Sequence, residues 1–143
     1  MISIIVPCYN EQEALPLFHK EITRVLQEMG ESYELLLVND GSRDSTLDVM
    51  RTLAQEDGHV VYLSFSRNFG KEAALMAGLD HAQRGALLFM DGDGQHSPDL
   101  VERLVDHWIN DGYDVIYTAK AHRTNESLLR RIGVHSFYAI INW

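Results

Sequence analysis

The chain has 143 residues, of which 45% are hydrophobic and 23% are charged, and its formal net charge at pH 7 is −9. This length fits one domain of ordinary globular composition, and the acidic balance argues against a nucleic-acid binder. The single cysteine, Cys8, excludes an internal disulfide and suits a reducing compartment, and no apolar run approaches the roughly 20 residues that a membrane-spanning helix needs.

Short apolar runs that predict strands alternate along the chain with longer amphipathic segments that predict helices. In order, the predicted elements are a strand at Ile2–Val6, a helix at Glu13–Met29, a strand at Tyr33–Val38, a helix at Asp44–Gln55, a strand at Val60–Phe65, a helix at Lys71–Gln83, a strand at Ala86–Met90, a helix at Pro98–Asn110, a strand at Tyr113–Thr118 and a helix at Glu126–Asn142. Gly30 marks the end of the first helix, and Ser42 or Asp44 is the expected N-cap of the second. This alternation predicts βαβ units and a parallel sheet covered by helices on both faces.

Polar and ionisable residues follow each of the first four predicted strands. These segments are Pro7–Glu11, Asn39–Ser42, Ser66–Lys71 and Asp91–Gln95. Ligands of open parallel sheets bind beyond the C-terminal ends of the strands. Four such segments at one edge therefore predict a binding site there.

The sharpest feature is the pair of carboxylates at Asp91 and Asp93. Two carboxylates two residues apart after a buried strand suit a hard cation such as Mg²⁺ or Mn²⁺, and Gln95 offers a third oxygen. A glycine-rich turn whose Asp side chains bond their own backbone explains the same residues as well. An EF-hand does not, because a strand precedes the loop and His96 stands where the sharp turn needs Gly.

The other residues at these strand ends each have two interpretations. Asp40 to Asp44 suits either contact with the polar edge of a nucleotide or capping of the following helix. Arg67 and Lys71 suit either a bound diphosphate or ordinary surface charge. Tyr9 is placed either to stack on a base or to pack. The chain has no Gly-x-Gly-x-x-Gly after its first strand and no Walker-type loop, which argues against the usual dinucleotide and P-loop sites.

Four motifs together resemble the family-2 glycosyltransferases with the GT-A fold. They are Val6-Pro7-x-Tyr9-Asn10-Glu11, Val38-Asn39-Asp40-Gly41-Ser42-x-Asp44, Ser66-Arg67-Asn68-Phe69-Gly70-Lys71 and Asp91-x-Asp93-x-Gln95. The chain looks most like the branch that transfers a sugar to a polyprenyl phosphate, such as dolichol-phosphate mannose synthase and bactoprenol glucosyltransferases. The resemblance implies a Rossmann-like α/β domain with a mostly parallel sheet. It also implies a nucleotide-diphosphate sugar donor, with a UDP-sugar favoured over GDP-mannose, and undecaprenyl or dolichyl phosphate as acceptor.

The resemblance also implies roles for individual residues. The expected nucleotide-sugar-binding residues are Pro7, Tyr9, Asn10, Glu11, Asp40, Arg67, Lys71 and Lys120. Within this set, Pro7, Tyr9 and Glu11 would line the pocket for the base and ribose, and Asp40 would hydrogen-bond the base. The expected ligands of Mg²⁺ or Mn²⁺ are Asp91, Asp93 and Gln95, and Asp91 and Asp93 are the expected catalytic residues.

Residues 119–143 differ in character from residues 1–118, which form the predicted nucleotide-sugar-binding core. They hold four basic residues against one acid, with many apolar residues in the predicted helix. We expect residues 126–143 to lie on the cytoplasmic face of a membrane, although burial against another part of the protein or within a homo-oligomer explains the pattern equally well.

The resemblance further implies that relatives continue well past Trp143 into an acceptor-binding half. Two alternative functions stay open at this point. One is a nucleotide-sugar-binding module without catalysis. The other is a glycosyltransferase that uses a hydroxyl acceptor in polysaccharide synthesis.

Overall fold

The computed structural model describes residues 1–83, 85–92 and 99–118 of the chain. In chain order the elements are β1 (Ile2–Cys8), α1 (Ala14–Met29), β2 (Tyr33–Asn39), α2 (Thr46–Glu56), β3 (Val60–Ser64), α3 (Lys71–His81), β4 (Ala86–Phe89) and α4 (Asp99–Asp111). The first eight predicted elements are therefore confirmed, with ends that differ by no more than about two residues, the usual uncertainty of such boundaries. The left-handed backbone of Gly30 ends α1 as expected, and its N–H donates to the carbonyl of Gln27.

The four strands form one parallel sheet in the order β3-β2-β1-β4. β1 lies inside the sheet, where Ile5 is paired with Leu36 on one side and with Phe89 on the other. Of the four described strands, β3 and β4 are the outer ones. This arrangement confirms the predicted α/β class.

Helices cover both faces of the sheet, as the continuous apolar strands predict. α1, α2 and α4 pack on one face, over a core that includes Ile4 and Leu37. Of the helices described, α3 packs on the other face, where Ala74 lies against Ile5 and Leu36. Alternate residues of β1 thus enter different cores, because successive side chains of a strand point to opposite faces.

The predicted strand at Tyr113–Thr118 is wrong, since residues 113–118 form no regular structure. Val115 and Tyr117 are 80% and 83% exposed, while Ile116 borders the same cavity as Leu88 of β4 and Leu104 of α4. The segment therefore runs near β4 and α4 without joining the ladder of hydrogen bonds that defines a strand. Its apolar residues resemble those of a strand, but pairing depends on how a segment aligns with an edge, which no local pattern specifies.

Two further structural expectations concern the C-terminal part of the chain. The predicted helix over residues 126–142 lies outside the described residues. Among the residues described, no helix combines the length and the apolar character needed to cross a membrane.

Candidate functional site

A cavity of about 460 Å³ opens at the C-terminal edge of the sheet. It is bordered by the segments that follow all four strands, at the side of β1 where the strand order reverses towards β4. Its lining residues are Pro7, Cys8, Tyr9, Glu11, Asp40, Asn68, Gly70, Lys71, Asp91 and Gly92. The size is that of a site for a small molecule or cofactor. The convergence predicted from the strand ends is thus observed.

Asp40 joins two of these segments. Its side chain is almost fully buried, and its oxygens accept hydrogen bonds from the backbone N–H groups of Phe69 at 2.7 Å and of Gly70 at 3.0 Å. These contacts attach the end of β2 to the start of α3. Because an ionised carboxylate offers about four acceptor positions, the group that lines the cavity keeps capacity for a ligand.

Gly41 brings the same two segments into direct contact. Its backbone has a φ of +64°, and a Cβ at this position would lie 2.2 Å from the backbone carbonyl carbon of Arg67. Only glycine meets both conditions, because it adopts positive φ without strain and leaves room for a neighbouring backbone.

The loops after β1 and β2 are joined by reciprocal hydrogen bonds. Asn10, which has a positive φ of 58°, accepts a bond from the N–H of Arg43 at 2.9 Å and donates its own N–H to Ser42 Oγ at 3.0 Å. Gln12 Oε1 accepts a bond from the N–H of Ser45 at 2.9 Å. The structure therefore places the Asn10 side chain between two loops and not in the cavity lining. Asn10 thereby positions its two neighbours, Tyr9 and Glu11, which line the cavity.

Asp44 takes part in the same junction and contacts the start of α2. Its Oδ1 accepts bonds from the N–H of Thr46 at 3.0 Å and from Thr46 Oγ1 at 2.6 Å. Partial burial by itself raises the pKa of Asp44, but the bonds from Thr46 and from the N–H of Gln12 outweigh it and hold this pKa below 3.8. Of the two predicted caps, Asp44 contacts the helix start, whereas Ser42 binds Asn10.

Lys71 and Asp91 form an ion pair at the mouth of the cavity. Lys71 is the first residue of α3, Asp91 follows β4, and the lysine Nζ donates to Asp91 Oδ1. The two side chains are 55% and 36% exposed, so solvent and ligands reach both. The carboxylate expected to hold a metal is therefore accessible and already attracts a cation, the ammonium of Lys71. Among the residues that the structure describes, no group of three or more His, Cys, Asp or Glu side chains could hold a metal ion.

The other predicted residues are distributed as follows. Tyr9 lines the cavity and is 41% exposed, which leaves its ring accessible to a ligand. Arg67 does not line the cavity, and its guanidinium lies 4.7 Å from the centre of the Phe69 ring. Asp93, Gln95 and Lys120 lie outside the described residues, so their roles stay predictions.

Four lining residues were not predicted as site residues, namely Cys8, Asn68, Gly70 and Gly92. Each lies within a polar strand-end motif or beside one. Their position next to predicted site residues was the only indication in the sequence that they line the cavity. Burial, and then the negative charge of Glu11, raise the pKa of the Cys8 thiol to about 12. Cys8 is thus a neutral wall residue and not a nucleophile.

The sequence also matches a known family. The family described as Glycosyl transferase family 2 matches residues 3–140. This chain belongs to that family. A relative from Escherichia coli K12, named as a prophage bactoprenol glucosyl transferase homolog, is 38% identical over 141 residues, which are 99% of this chain and 46% of the relative. The glycosyltransferase chain thus spans about half the length of the curated relatives it matches.

Two solved structures share the fold. Residues 1–349 of Staphylococcus aureus TarS, in a complex with UDP, match with a TM-score of 0.62 and 18% identity, over 89% of this chain and 38% of that one. The mannosyltransferase PcManGT from Pyrobaculum calidifontis, in a complex with GDP-Man and Mn²⁺, matches with a TM-score of 0.61 and 23% identity, over 76% of this chain and 32% of that one. At these identities the likeness concerns the fold, which is of the GT-A type.

Proposed function

We propose that this chain binds the donor in a metal-dependent glycosyltransferase that moves a sugar from a nucleotide-diphosphate sugar to a polyprenyl phosphate. A UDP-sugar is the favoured donor and GDP-mannose the second option. The single observation that carries the proposal is the cavity at the sheet edge. It brings Tyr9, Asp40, Lys71 and Asp91 from four separate strand ends into one space.

The chemistry of these side chains suits the parts of such a donor. The accessible ring of Tyr9 offers a surface on which a base can stack. The remaining acceptor capacity of Asp40 suits the N–H groups of a uracil or guanine edge. The ammonium of Lys71 suits a diphosphate. Asp40 is held by its bonds to the backbone at the start of α3, so it needs little reordering when a donor binds.

Asp91, with Asp93 and Gln95 as predicted partners, would hold Mg²⁺ or Mn²⁺. When bound, the cation supplies positive charge that stabilises the diphosphate as it leaves. The residues of this chain then orient the donor so that the bond between the anomeric carbon and the diphosphate oxygen faces the acceptor.

The proposed acceptor can react without a strong general base. A phosphate monoester has a second pKa of about 6, so a polyprenyl phosphate oxygen is largely ionised at neutral pH and attacks without a strong general base. The name of the Escherichia coli relative supports an acceptor of this class. The reaction would take place at the cytoplasmic face of a membrane, with residues 126–143 near the lipid.

Binding of UDP and GDP measured by calorimetry, with Mn²⁺ or with EDTA, tests the donor and metal parts of this proposal. We expect binding with Mn²⁺ and a loss of at least about tenfold in affinity with EDTA or in Asp91→Ala, because a charged contact is worth about 1.5–3 kcal/mol. Asp93→Asn keeps the side-chain shape but removes the charge, so we expect it to weaken binding without unfolding the domain.

Asp80→Ala is the matched control, because it removes an exposed carboxylate from the opposite end of α3. It is expected to bind the nucleotide as the natural chain does. Equal nucleotide affinity in Mn²⁺ and in EDTA would rule out the metal-dependent site. Donor binding by the full-length protein without transfer to a polyprenyl phosphate would favour a binding module instead.

A further inference from the structure

The ion pair between Lys71 and Asp91 occupies both groups that the proposed donor site requires. Lys71 is the cation expected at the diphosphate, and Asp91 is the carboxylate expected at the metal. In the structure each neutralises the other through the contact of Nζ with Oδ1. A bound metal and a bound diphosphate therefore replace this contact rather than add to it.

The position of Lys71 is set by the buried scaffold and not by the ion pair. Gly70, directly before it, has a φ of +99° and donates its N–H to Asp40 Oδ2 at 3.0 Å. This bond fixes where α3 begins. The start of a helix carries a partial positive charge, so nearby carboxylates stabilise a lysine there. Glu72 lies in the same first turn of α3, and Asp91 contacts the Lys71 ammonium directly.

The pair also has room to separate. It borders the main cavity and a second cavity of about 200 Å³, which is lined by Lys71, Leu75, Phe89, Met90 and Asp91. The lysine head and the carboxylate are both partly exposed, so moving the flexible lysine chain displaces no buried group.

We propose that Lys71 acts as an internal counter-cation for Asp91, which weakens metal binding in the absence of a nucleotide and couples it to nucleotide binding. This inference rests on the proposed donor and metal site. When a nucleoside diphosphate binds, Lys71 exchanges Asp91 for the diphosphate, and Asp91 becomes free for the metal. Linkage then requires that the metal and the nucleotide each raise the affinity for the other by the same factor.

Titration of Mn²⁺ into the chain of residues 1–143, with and without saturating UDP or GDP, tests this proposal. The readout is the broadening of amide NMR signals near Asp91 by the paramagnetic ion, together with calorimetry. In Lys71→Met we expect Mn²⁺ alone to bind about two- to fivefold more tightly, because an exposed ion pair contributes up to about 1 kcal/mol. The factor by which the nucleotide raises Mn²⁺ affinity is expected to fall in the same variant.

Two further variants serve as controls. Lys71→Arg keeps the positive charge, so its affinity for Mn²⁺ alone is expected to be lower than that of Lys71→Met. Lys20→Met removes an exposed positive charge from α1, and is expected to leave the affinity for Mn²⁺ unchanged. Far-UV circular dichroism and thermal melting verify that each variant is folded.

The outcomes separate this inference from the proposed function. Equal or weaker binding of Mn²⁺ alone in Lys71→Met, or no Mn²⁺ binding by either protein, would overturn the role of Lys71. If neither nucleotide binds the natural chain with Mn²⁺ present, the proposed function fails. Even then, comparing the affinity for Mn²⁺ alone between the natural chain and Lys71→Met decides whether Lys71 competes with the metal for Asp91.

Discussion

Single residues at the cavity act mainly by holding loops together. Asp40 binds the backbone at the start of α3, and Gly41 lets the loop after β2 touch the backbone of Arg67. The motif that suggests a nucleotide contact is therefore also a structural junction. A change at Gly41 is expected to disturb the cavity even though Gly41 does not line it.

At the residue scale we predict that Gly41→Ala destabilises the chain and weakens binding of UDP with Mn²⁺. A left-handed backbone costs an alanine about 1–2 kcal/mol, and the added Cβ would also have to displace a backbone that lies 2.2 Å away. Unfolding in urea measures the stability, and calorimetry measures the binding.

Gly30→Ala is the matched comparison for this change. The φ of Gly30 is +69°, but no atom lies within 4 Å of the added Cβ. The only expected cost in stability is therefore that of holding an alanine in a left-handed backbone conformation. We expect it to destabilise less than Gly41→Ala and to leave nucleotide affinity unchanged. Equal effects of the two substitutions would show that the contact with Arg67 carries no cost.

At the element scale, α3 carries both a wall of the cavity and one face of the core. It begins at Lys71 and lies against β1 and β2 through Ala74 and Gly78. A Cβ at Gly78 would lie 2.3 Å from Ile5 Cγ2, so the helix approaches the sheet as closely as a glycine allows. This close packing orients the start of α3 towards the cavity.

We predict that Gly78→Ala destabilises the chain by about 1–3 kcal/mol, the usual cost of overpacking a core. The higher helix propensity of alanine, worth about 1 kcal/mol, offsets part of this cost. Gly58→Ala, where no atom lies within 4 Å of the new Cβ, is expected to change stability by no more than about 0.5 kcal/mol. A stabilised Gly78→Ala variant in urea unfolding would contradict the prediction.

At the scale of the whole molecule, the buried apolar clusters of the described residues lie between Ile2 and Val105. We therefore propose that residues 1–118 form the folded nucleotide-sugar-binding core and that residues 119–143 are a separable basic, apolar-rich segment. The first part supplies the cavity, and the second part would supply contact with a membrane or another subunit.

We predict that a chain ending at Thr118 still unfolds cooperatively, with a melting temperature within about 5 °C of the natural chain, because a change below about 1 kcal/mol shifts it by no more than this. We also expect the longer chain to bind anionic vesicles at low salt and the shorter chain to lose this binding. Sedimentation with anionic and neutral vesicles measures this. A dimer of the longer chain that binds no vesicle would assign residues 119–143 to an interface instead.

Local patterns determined the order and approximate bounds of eight elements, the parallel α/β class and the location of a site at the strand ends. Helical and strand periodicity act over a few residues, so the sequence carries this information directly. The same periodicity failed at residues 113–118, because a strand needs an edge with which it aligns, and alignment is a property of two distant segments.

Tertiary structure alone decided which polar residues meet. The loops that follow the strands contact each other only when the sheet has formed in the order β3-β2-β1-β4. This order brings Asp40 next to Gly70 and Lys71 next to Asp91. The same assembly directs Asn10 towards a neighbouring loop instead of the cavity. Each strand-end motif can be recognised in the sequence, but the residues that it contacts cannot. The contacts of Lys71, Asp40 and Asn10 join residues about 20–33 positions apart, which no local pattern specifies.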